Sequence, residues 1–453
     1  MERPRNRCPI TLLIDDPCPG INPLYYFASQ VPKDAVDYHY TKRDNEWYFD
    51  SDVEFKFPIA KIIEPEFVQE FAKWVGEAEV NGKISVVPFP AGLGRIDRRL
   101  KGFPIEIVKE FVTCFRGEIA QKFDIGPEVL THTRALNLNS KKLMQKISEH
   151  DWSQKQGSIT LAKYIGFSLE ILKNAGLNPT GVTSPCNFGM YVEDEYVRAI
   201  LEAAKNILGL KVVWYFLHVD SESYNVDHRV MYLDRKGGEA VISIIGSMSD
   251  PFWTGQITDL DYDHWVKERI DPVLSVDGKS GRIADQVRSK SFVTIVTHWQ
   301  SLYSNGSRYG LKDEIIWKKC SEIAEYLACA SSVTLTSRKP SETWGNDAAE
   351  IEVASPFVCS DFTFSFETDL IPSKVILRED ENKIRELRAI TNQSILQPDS
   401  WLPINSADGK VVIFVCLAQL TKREEKTISY GVTRKIQRRV SEPEYVSSVL
   451  VVR

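Results

Sequence analysis

The pattern of hydrophobic residues along the chain changes at about residue 333. Before that point, short apolar runs alternate with longer stretches in which apolar residues recur at steps of three and four. A nearly continuous apolar run is typical of a strand buried on both faces, whereas the longer spacing is that of a helix with one apolar face. Alternation of the two predicts a parallel α/β sheet, and the number of repeats favours a (β/α) barrel, closed or partly open.

Individual runs place the elements of this first part. The runs that predict strands are 10–14, 83–89, 128–132, 211–217, 240–246 and 292–298. Helical spacing is clearest over 159–172, where Gly176 ends the pattern, and over 196–207. These elements define a predicted first domain, the (β/α) barrel, at residues 1–332.

After residue 333, helical spacing is nearly absent. Runs such as FTFSFETD, residues 362–369, alternate apolar and polar residues and are separated by turns rich in Asp, Asn, Gly and Pro. Alternation with a period of two is that of a strand with one buried face. We therefore predict a second domain at residues 333–453, an antiparallel, all-β sandwich, whose linker or first loop covers 337–347.

Composition narrows the class of protein. With 43% hydrophobic residues, 26% charged residues and a net charge of −6, the chain is typical of a soluble globular protein and gives no support to nucleic-acid binding. The sequence has neither a membrane-length apolar stretch nor a signal-peptide centre, and its eight cysteines include no CxxC pair. We expect a cytoplasmic protein that binds neither nucleic acid nor membranes. Its oligomeric state stays open, with a homo-oligomer among the alternatives.

Polar residues that can carry chemistry stand at the ends of three predicted strands. The first strand runs into Asp15 and Asp16, the 128–132 strand ends at His132, and the last strand ends at His298. Because the carboxyl ends of parallel barrel strands meet at one mouth, we expect these side chains to converge. Carboxylates and imidazoles are ligands of Zn²⁺ and similar ions. A bound cation would also remove the repulsion between the two adjacent aspartates.

The order of these pieces resembles the polysaccharide deacetylase family, carbohydrate esterase family four with its NodB-like domain, over about residues 8–330. LLIDDPCPG resembles the family motif T-F-D-D-G, with Pro17 in place of the glycine, and VTH resembles L-x-H. HTRAL resembles H-[ST]-x-x-H, with Leu136 at the second histidine. TSPCNFG resembles R-x-P-Y-G, with Thr183 at the arginine. The resemblance implies a deformed (β/α) barrel.

The resemblance also implies roles for individual residues. Asp15 corresponds to the general base and His298 to the general acid. Asp16 and His132 correspond to ligands of a divalent metal, which we take to be zinc. The implied activity is that of a metal-dependent hydrolase that removes acetyl groups from an acetylated glycan or amino sugar.

The departures from the motifs leave two positions open. A catalytic zinc ordinarily has three protein ligands, so a third is needed beside Asp16 and His132. We take His150 as the third ligand, and the alternatives are Asp151, Asn137 and Asn139. The partner that orients the base is also open, and the candidates are Arg95 and Arg134.

Aromatic residues near the strand ends are expected to form the carbohydrate-binding surface. Large flat rings combine apolar area with a polar edge, which suits contact with a sugar. The predicted substrate-binding residues are Trp152, Pro185, Phe188, Trp253, Trp299 and Tyr303.

Two other functions fit the same residues. A glycoside hydrolase on a similar barrel would use Asp15 with a second carboxylate such as Glu193, at a separation of about 5–10 Å and without a metal. A non-catalytic carbohydrate-binding protein would explain the missing histidine and arginine as the remains of a lost active site. Metal content separates the deacetylase from both alternatives.

Overall fold

The computed structural model describes residues 3–20, 63, 65–251, 269–299, 315–338, 350–369, 371–378, 384–390, 396–406, 410–420, 432–434 and 448–452. The predictions for Trp253 and Tyr303 lie outside these residues. The chain forms two compact units. The larger, here the N-terminal unit, contains Pro9–Leu233 and Glu239–Ala324. The C-terminal unit contains Met1–Cys8, Asp234–Gly238 and Glu325–Arg453.

The first group of elements runs from β1 to α7. The strands are β1 (Cys8–Asp15), β2 (Gly82–Val86), β3 (Gly94–Arg95), β4 (Arg99–Leu100), β5 (Phe123–Pro127), β6 (Arg134–Asn137), β7 (Lys142–Ser148), β8 (Gly181–Thr183), β9 (Val212–Val219), β10 (Arg229–Asp234), β11 (Glu239–Gly246), β12 (Val293–His298) and β13 (Ile315–Trp317). Apart from the short helical segment Ala120–Lys122, the α-helices are α1 (Pro65–Glu77), α2 (Ile105–Cys114), α3 (Glu149–Ser153), α4 (Ser158–Asn174), α5 (Glu193–Leu208), α6 (Arg282–Arg288) and α7 (Cys320–Ser332). Within the described ranges, no helix combines the length and the hydrophobicity that a membrane crossing requires.

Two sheets form the centre of the N-terminal unit. The first has the order β12-β1-β2-β5, with β13 paired to β1, and the second has the order β10-β11-β9-β8. The pairs β1–β12, β1–β2, β2–β5, β9–β11 and β8–β9 are all parallel. Single parallel bridges join Glu128, just after β5, to Thr183 on β8, and Met248, just after β11, to Ile295 on β12. The prediction of an α/β fold with parallel strands is therefore confirmed.

The prediction of a strand over 128–132 is wrong. Strand β5 ends at Pro127, where its pairing with β2 also ends. His132 has a φ of 58°, which lies in the left-handed region and cannot belong to a strand. The segment is instead the loop that follows β5. Sequence reasoning also missed β8, which has only three residues, and the β6–β7 hairpin.

Strand β8 depends on a close approach of its backbone to a buried tryptophan. A Cβ atom on Gly181 would lie 2.1 Å from the ring of Trp214, which is fully buried on β9. Only glycine lets β8 and β9 pack at this distance.

The second group of elements consists of strands. Strands β14 (Thr334–Arg338) and β15 (Glu350–Ala354) form an antiparallel pair. A seven-stranded sheet has the order β16-β20-β19-β18-β17-β22-β21, formed by β16 (Cys359–Thr368), β17 (Pro372–Arg378), β18 (Ile384–Ala389), β19 (Ser400–Asn405), β20 (Val411–Leu420), β21 (Val432–Arg434) and β22 (Ser448–Val452). We predicted antiparallel pairing throughout, and this is wrong for two pairs, because β18–β19 and β17–β22 are parallel. The sandwich arrangement stays a prediction.

Asp124 on β5 is a buried carboxyl that anchors the start of α7. It accepts hydrogen bonds from the backbone N–H of Ser321 at 2.5 Å and from the Ser321 hydroxyl at 2.9 Å. Burial raises the pKa of Asp124 to about 6, although the bonds from Ser321 lower it. A carboxyl whose pKa is raised in the folded state favours folding below its unfolded pKa, and this contribution is lost as the pH rises through the folded pKa.

We expect Asp124→Asn to remove this pH dependence. Relative to the wild type, the variant should gain stability between pH 4 and pH 7, by up to about 3 kcal/mol, and then level off. The measurement is the free energy of unfolding in urea across this range. Glu77→Gln, which changes a carboxylate that is 70% exposed, is the control and should track the wild type. If the free energy of unfolding of Asp124→Asn and of the wild type changed with pH in parallel, Asp124 would not be the source of this pH dependence.

Candidate metal centre

Three side chains with metal-binding atoms come together at the carboxyl ends of β1 and β5. They are Asp16, Glu128 and His132, whose ligand atoms all lie within 4.8 Å of one another. Asp16 follows the last residue of β1, Glu128 follows the last residue of β5, and His132 lies four residues further along the same loop. Asp16 and Glu128 are buried, and the His132 side chain is 12% exposed.

Of the two separations from His132, the one to Glu128 is close to the spacing of ligands around one ion, and the one to Asp16 is the shorter distance of a hydrogen bond. His132 Nε2 lies 2.8 Å from Asp16 Oδ1 and 3.7 Å from Glu128 Oε1. Ligand atoms around a tetrahedral zinc with bonds of about 2.0–2.2 Å are about 3.3–3.6 Å apart. Two carboxylates and one imidazole suit zinc and other borderline divalent ions. The residues present therefore fit a divalent metal with three protein ligands.

Both loops that carry the cluster have unusual backbone geometry. Asp16 has a φ of 69° and His132 a φ of 58°. Residues other than glycine seldom adopt positive φ, although Asp and His do so more often than most. Such conformations cost free energy and concentrate at functional sites, where the surrounding structure holds them in place. They turn the chain directly after β1 and within the loop that follows β5, and the two side chains meet.

A buried carboxyl group, Glu149 on α3, holds the loop that contains His132. Its Oε2 accepts the backbone N–H of His132 at 2.9 Å, and its Oε1 accepts that of Thr131 at 3.0 Å. Oε1 also accepts the hydroxyl of Tyr164 at 2.8 Å, and this hydroxyl in turn accepts the backbone N–H of Leu136 at 3.0 Å. Burial raises the pKa of Glu149 to about 7, against the opposing effect of these hydrogen bonds.

The charges of the cluster favour a cation. Burial, followed by the charges of Asp15 and Asp16, raises the pKa of Glu128 well above its usual range. Burial opposes the protonation of His132, but the charge and hydrogen bond of Asp16 and the charge of Glu128 raise its pKa well above 6.5. Both shifts report excess negative charge in a buried space. A divalent ion would neutralise that charge and reverse the preference of both groups for the proton.

Asp15 is separated from this cluster by an ion pair. Its Oδ1 accepts from the ammonium of Lys83, whose side chain has no exposed surface. Of the two arginines predicted for this role, Arg95 pairs instead with Asp97, at 2.8 and 2.6 Å, and Arg134 begins β6. The positively charged partner of Asp15 is therefore a lysine on the neighbouring strand β2, and neither of the two arginines.

His298 stands beside Asp15 at the same edge of the sheet. The two residues are direct partners across the parallel pair β1–β12. His298 Nδ1 lies 2.7 Å from Asp250 Oδ2, which also accepts the backbone N–H of His298 at 3.0 Å. Burial opposes the protonation of His298, but Asp250, together with the charges of Asp16 and Asp15, raises its pKa to about 9. The imidazole is therefore a proton donor at neutral pH.

The third candidate ligand is Glu128, and not His150 as we predicted from the sequence. His150 lies on α3, is about one-third exposed, and pairs with Asp151 at 3.5 Å. Asn137 caps the β6–β7 turn by accepting from the backbone of Asn139 and Ser140, and Asn139 is exposed. None of these residues belongs to the cluster found among the described residues.

Position 136 cannot supply a ligand for a structural reason. Leu136 lies in β6, where its side chain is 1% exposed and belongs to the hydrophobic core. The ligand that completes the cluster precedes His132 by four residues instead of following it. This spacing was visible in EVLTH, residues 128–132, but the strand predicted there concealed it.

The predicted carbohydrate-binding residues fall into different environments. Trp299 is 1% exposed and packs against Phe71 and Phe115, so its indole is unavailable to a sugar. Phe188 is fully buried against Tyr164 and Tyr196, and Pro185 is buried too. Trp152 is partly exposed, with its ring 4.5 Å from that of Tyr164. Of the predicted residues that the structure describes, Trp152 alone offers a surface to a ligand.

A cavity of about 450 Å³ lies next to the chain segment that contains Asp250. Its volume is within the range of small-molecule sites. It is lined by Ser221, Met248, Ser249, Pro251, Arg269, Pro272, Val273 and Arg282. Ser249 and Pro251 flank Asp250 in the sequence, so the cavity adjoins the residue that holds His298.

Glu193, the second carboxylate of the glycoside hydrolase alternative, belongs to a separate group. It begins α5, accepts from the Tyr215 hydroxyl at 2.5 Å and lies 2.8 Å from His218 Nε2. It therefore forms a histidine–carboxylate pair that has no third ligand among the described residues.

Comparison with known proteins leaves the site as the main evidence on function. No family model matches the chain, and neither a curated protein nor a solved structure matches it. The resemblance to polysaccharide deacetylases stays a prediction from the motifs.

Proposed function

We propose that the protein is a metal-dependent hydrolase that removes acetyl groups from an acetylated glycan or amino sugar. The observation that carries the proposal is the cluster of Asp16, Glu128 and His132 beside the adjacent pair Asp15 and His298. A metal site next to a carboxylate and a protonated imidazole supplies the Lewis acid, base and acid that metal-assisted hydrolysis of an amide or ester uses. The motif resemblance points to an acetyl group on a sugar as the substrate.

In this proposal, Asp16, Glu128 and His132 hold a divalent ion, which we take to be zinc. When bound, the ion supplies Lewis-acid activation of the carbonyl group and of the attacking water. Asp15 accepts the proton of that water, and the Lys83 ammonium stabilises the negative charge of Asp15. His298 donates its proton to the leaving amine or alcohol, and Asp250 keeps the Nδ1 side of the ring fixed so that Nε2 carries this proton.

The arrangement places a proposed base, Asp15, and a proposed acid, His298, on neighbouring strands. Adjacent strands are about 4.8 Å apart, so one scissile bond can lie within reach of both Asp15 and His298. The pKa of His298, about 9, keeps the ring protonated until the leaving group needs the proton. The cavity beside Asp250 and the partly exposed Trp152 offer surfaces for the sugar.

We also infer a deformed (β/α) barrel for the N-terminal unit. Two bridges support it, because Glu128–Thr183 joins β5 to β8, and Met248–Ile295 joins the end of β11 to β12. With these two links, the parallel strands β12-β1-β2-β5-β8-β9-β11 would follow one another around a ring, and their carboxyl ends would surround the metal cluster.

Metal content and acetate release test the proposed function. We expect the full chain, purified without chelators, to carry about one divalent ion per chain and to release acetate from acetylated amino-sugar oligomers. Treatment with a chelator should abolish the release, and zinc should restore it. A protein that holds no divalent ion and cannot be loaded with one would rule the proposal out and favour the two metal-free alternatives.

A further inference from the structure

Lys83 is a fully buried lysine in the middle of the N-terminal unit. Its ammonium donates to Asp15 Oδ1, to Ser85 Oγ at 2.5 Å and to Thr183 Oγ1 at 3.0 Å. It also lies 4.7 Å from the centre of the Phe216 ring. An ammonium has three N–H donors, and all three are used here. Lys83 therefore has no donor left for a substrate and cannot act as a free amine.

The position of Lys83 follows from strand register. On β2 it is the partner of Leu13 on β1 and of Asp124 on β5. Ser85 lies two residues further along β2 and so on the same face of the strand. Lys83 is paired two residues before Asp15 along β1, and its ammonium extends towards the carboxyl end of that strand. Burial of a charge is expensive unless an opposite charge compensates it, and that charge is Asp15.

We propose that Lys83 assigns different roles to the two adjacent aspartates by holding the Asp15 carboxylate out of the metal's ligand set. The assignment rests on the proposed function and concerns the same site. Asp15 is a third buried carboxylate next to the ligand Asp16 in the chain, and an ion alone would not distinguish it from Asp16 and Glu128. Lys83 pairs with Asp15, so Asp16, Glu128 and His132 would be the protein ligands of the ion and a fourth coordination position would stay free for water or substrate.

An open position is what separates a catalytic metal from a structural one. With Asp15 as a fourth protein ligand, the ion would be closed to water and substrate, and the base would be lost at the same time. Lys83 is thus a positioning residue that acts through Asp15. The resemblance expects an arginine at the position of Thr183, and here the Thr183 hydroxyl accepts from Lys83 instead.

The test replaces Lys83 with methionine, an unbranched side chain one heavy atom shorter than lysine, which removes the charge and keeps most of the volume. In the full chain, stripped of metal and titrated with Co²⁺, Lys83→Met should bind the ion at least about threefold more tightly than the wild type. Its visible absorption spectrum should change, because coordination geometry determines that spectrum. With zinc, kcat should fall at least about 30-fold, with little change in KM. Weaker Co²⁺ binding or an unchanged spectrum would overturn the assignment.

A matched control separates this effect from the loss of any buried lysine. Lys318 is 7% exposed and pairs with Glu322 at 3.3 Å, outside the cluster. Lys318→Met should leave the affinity for Co²⁺ and its spectrum as in the wild type. The double variant Lys83→Met/Asp15→Asn should return both to wild-type values and still lack activity, since the carboxylate that could join the ion is gone.

A second measurement tests the assignment without Lys83→Met, in case that variant does not fold. Asp15→Asn should change the affinity for Co²⁺ less than about threefold, whereas Asp16→Asn should lower it at least about 30-fold. Equal losses in the two variants would overturn the division of roles. A wild-type protein that binds no Co²⁺ would overturn the proposed function and this assignment together, whereas bound Co²⁺ with an unchanged Lys83→Met spectrum overturns the assignment alone.

Discussion

Replacement of Glu128 by glutamine lowers the affinity of the protein for a divalent ion by at least about 100-fold. The expected loss is large because Glu128 supplies one of three ligand atoms, and loss of even a residue behind the ligands costs about 10- to 100-fold. Glutamine keeps the size of the side chain, so the change is one of charge and ligand strength. The measurement is the dissociation constant for zinc in competition with a chromogenic chelator.

The structure contains a matched control for this variant. Glu193 is also a carboxylate that pairs with a histidine, at 2.8 Å from His218, but it has no third ligand beside it among the described residues. Glu193→Gln should leave the affinity for zinc unchanged. If both variants lose zinc equally, or if Glu128→Gln retains wild-type affinity, Glu128 is not a ligand.

Replacement of His298 by alanine lowers kcat by about 10²- to 10⁴-fold and leaves the metal content unchanged. This range is the usual contribution of a positioned general acid. His298 lies outside the ligand cluster and next to Asp15 across β1–β12, so its loss removes a proton donor and not a ligand. The steady-state rate of acetate release and the zinc content of the same sample provide the test. His218→Ala is the control and should keep both near wild-type values.

The role of Asp250 adds a pH signature to this prediction. Asp250 raises the pKa of His298, so Asp250→Asn should lower that pKa. An acid must be protonated to act, so activity falls as the pH rises through the pKa of His298. The alkaline limb of the pH–kcat profile should therefore move to lower pH in Asp250→Asn. An unmoved limb would mean that His298 is not the acid, even if its replacement lowers the rate.

Local patterns were sufficient for most elements of the N-terminal unit. The predicted strands over 10–14, 211–217, 240–246 and 292–298 correspond to β1, β9, β11 and β12, and the helix that Gly176 ends is α4. Hydrophobic spacing reports which residues are buried, and these elements are buried in a regular way. The prediction over 128–132 was wrong because buried loop residues such as Val129 and Leu130 have the same composition as a strand.

The partners of the site residues were not predictable in the same way. Lys83 and Asp250 each contact a predicted catalytic residue, yet they lie 68 and 48 positions away from it in the chain. A lysine in KISVV and an aspartate after an apolar strand are common features of sequences. Their importance comes from the residues that pairing places opposite them.

The sequence by itself determined the alternation of strands and helices up to about residue 333, the strand-rich part beyond it, and the placement of Asp15, Asp16 and His298 at strand ends. These are local properties, because apolar spacing and the end of an apolar run are visible within a few residues. Only the tertiary structure decided that Glu128 joins Asp16 and His132 and that Lys83 pairs with Asp15. Those contacts depend on the register between β1, β2 and β5 and on the turn at His132, which packing across the whole unit sets.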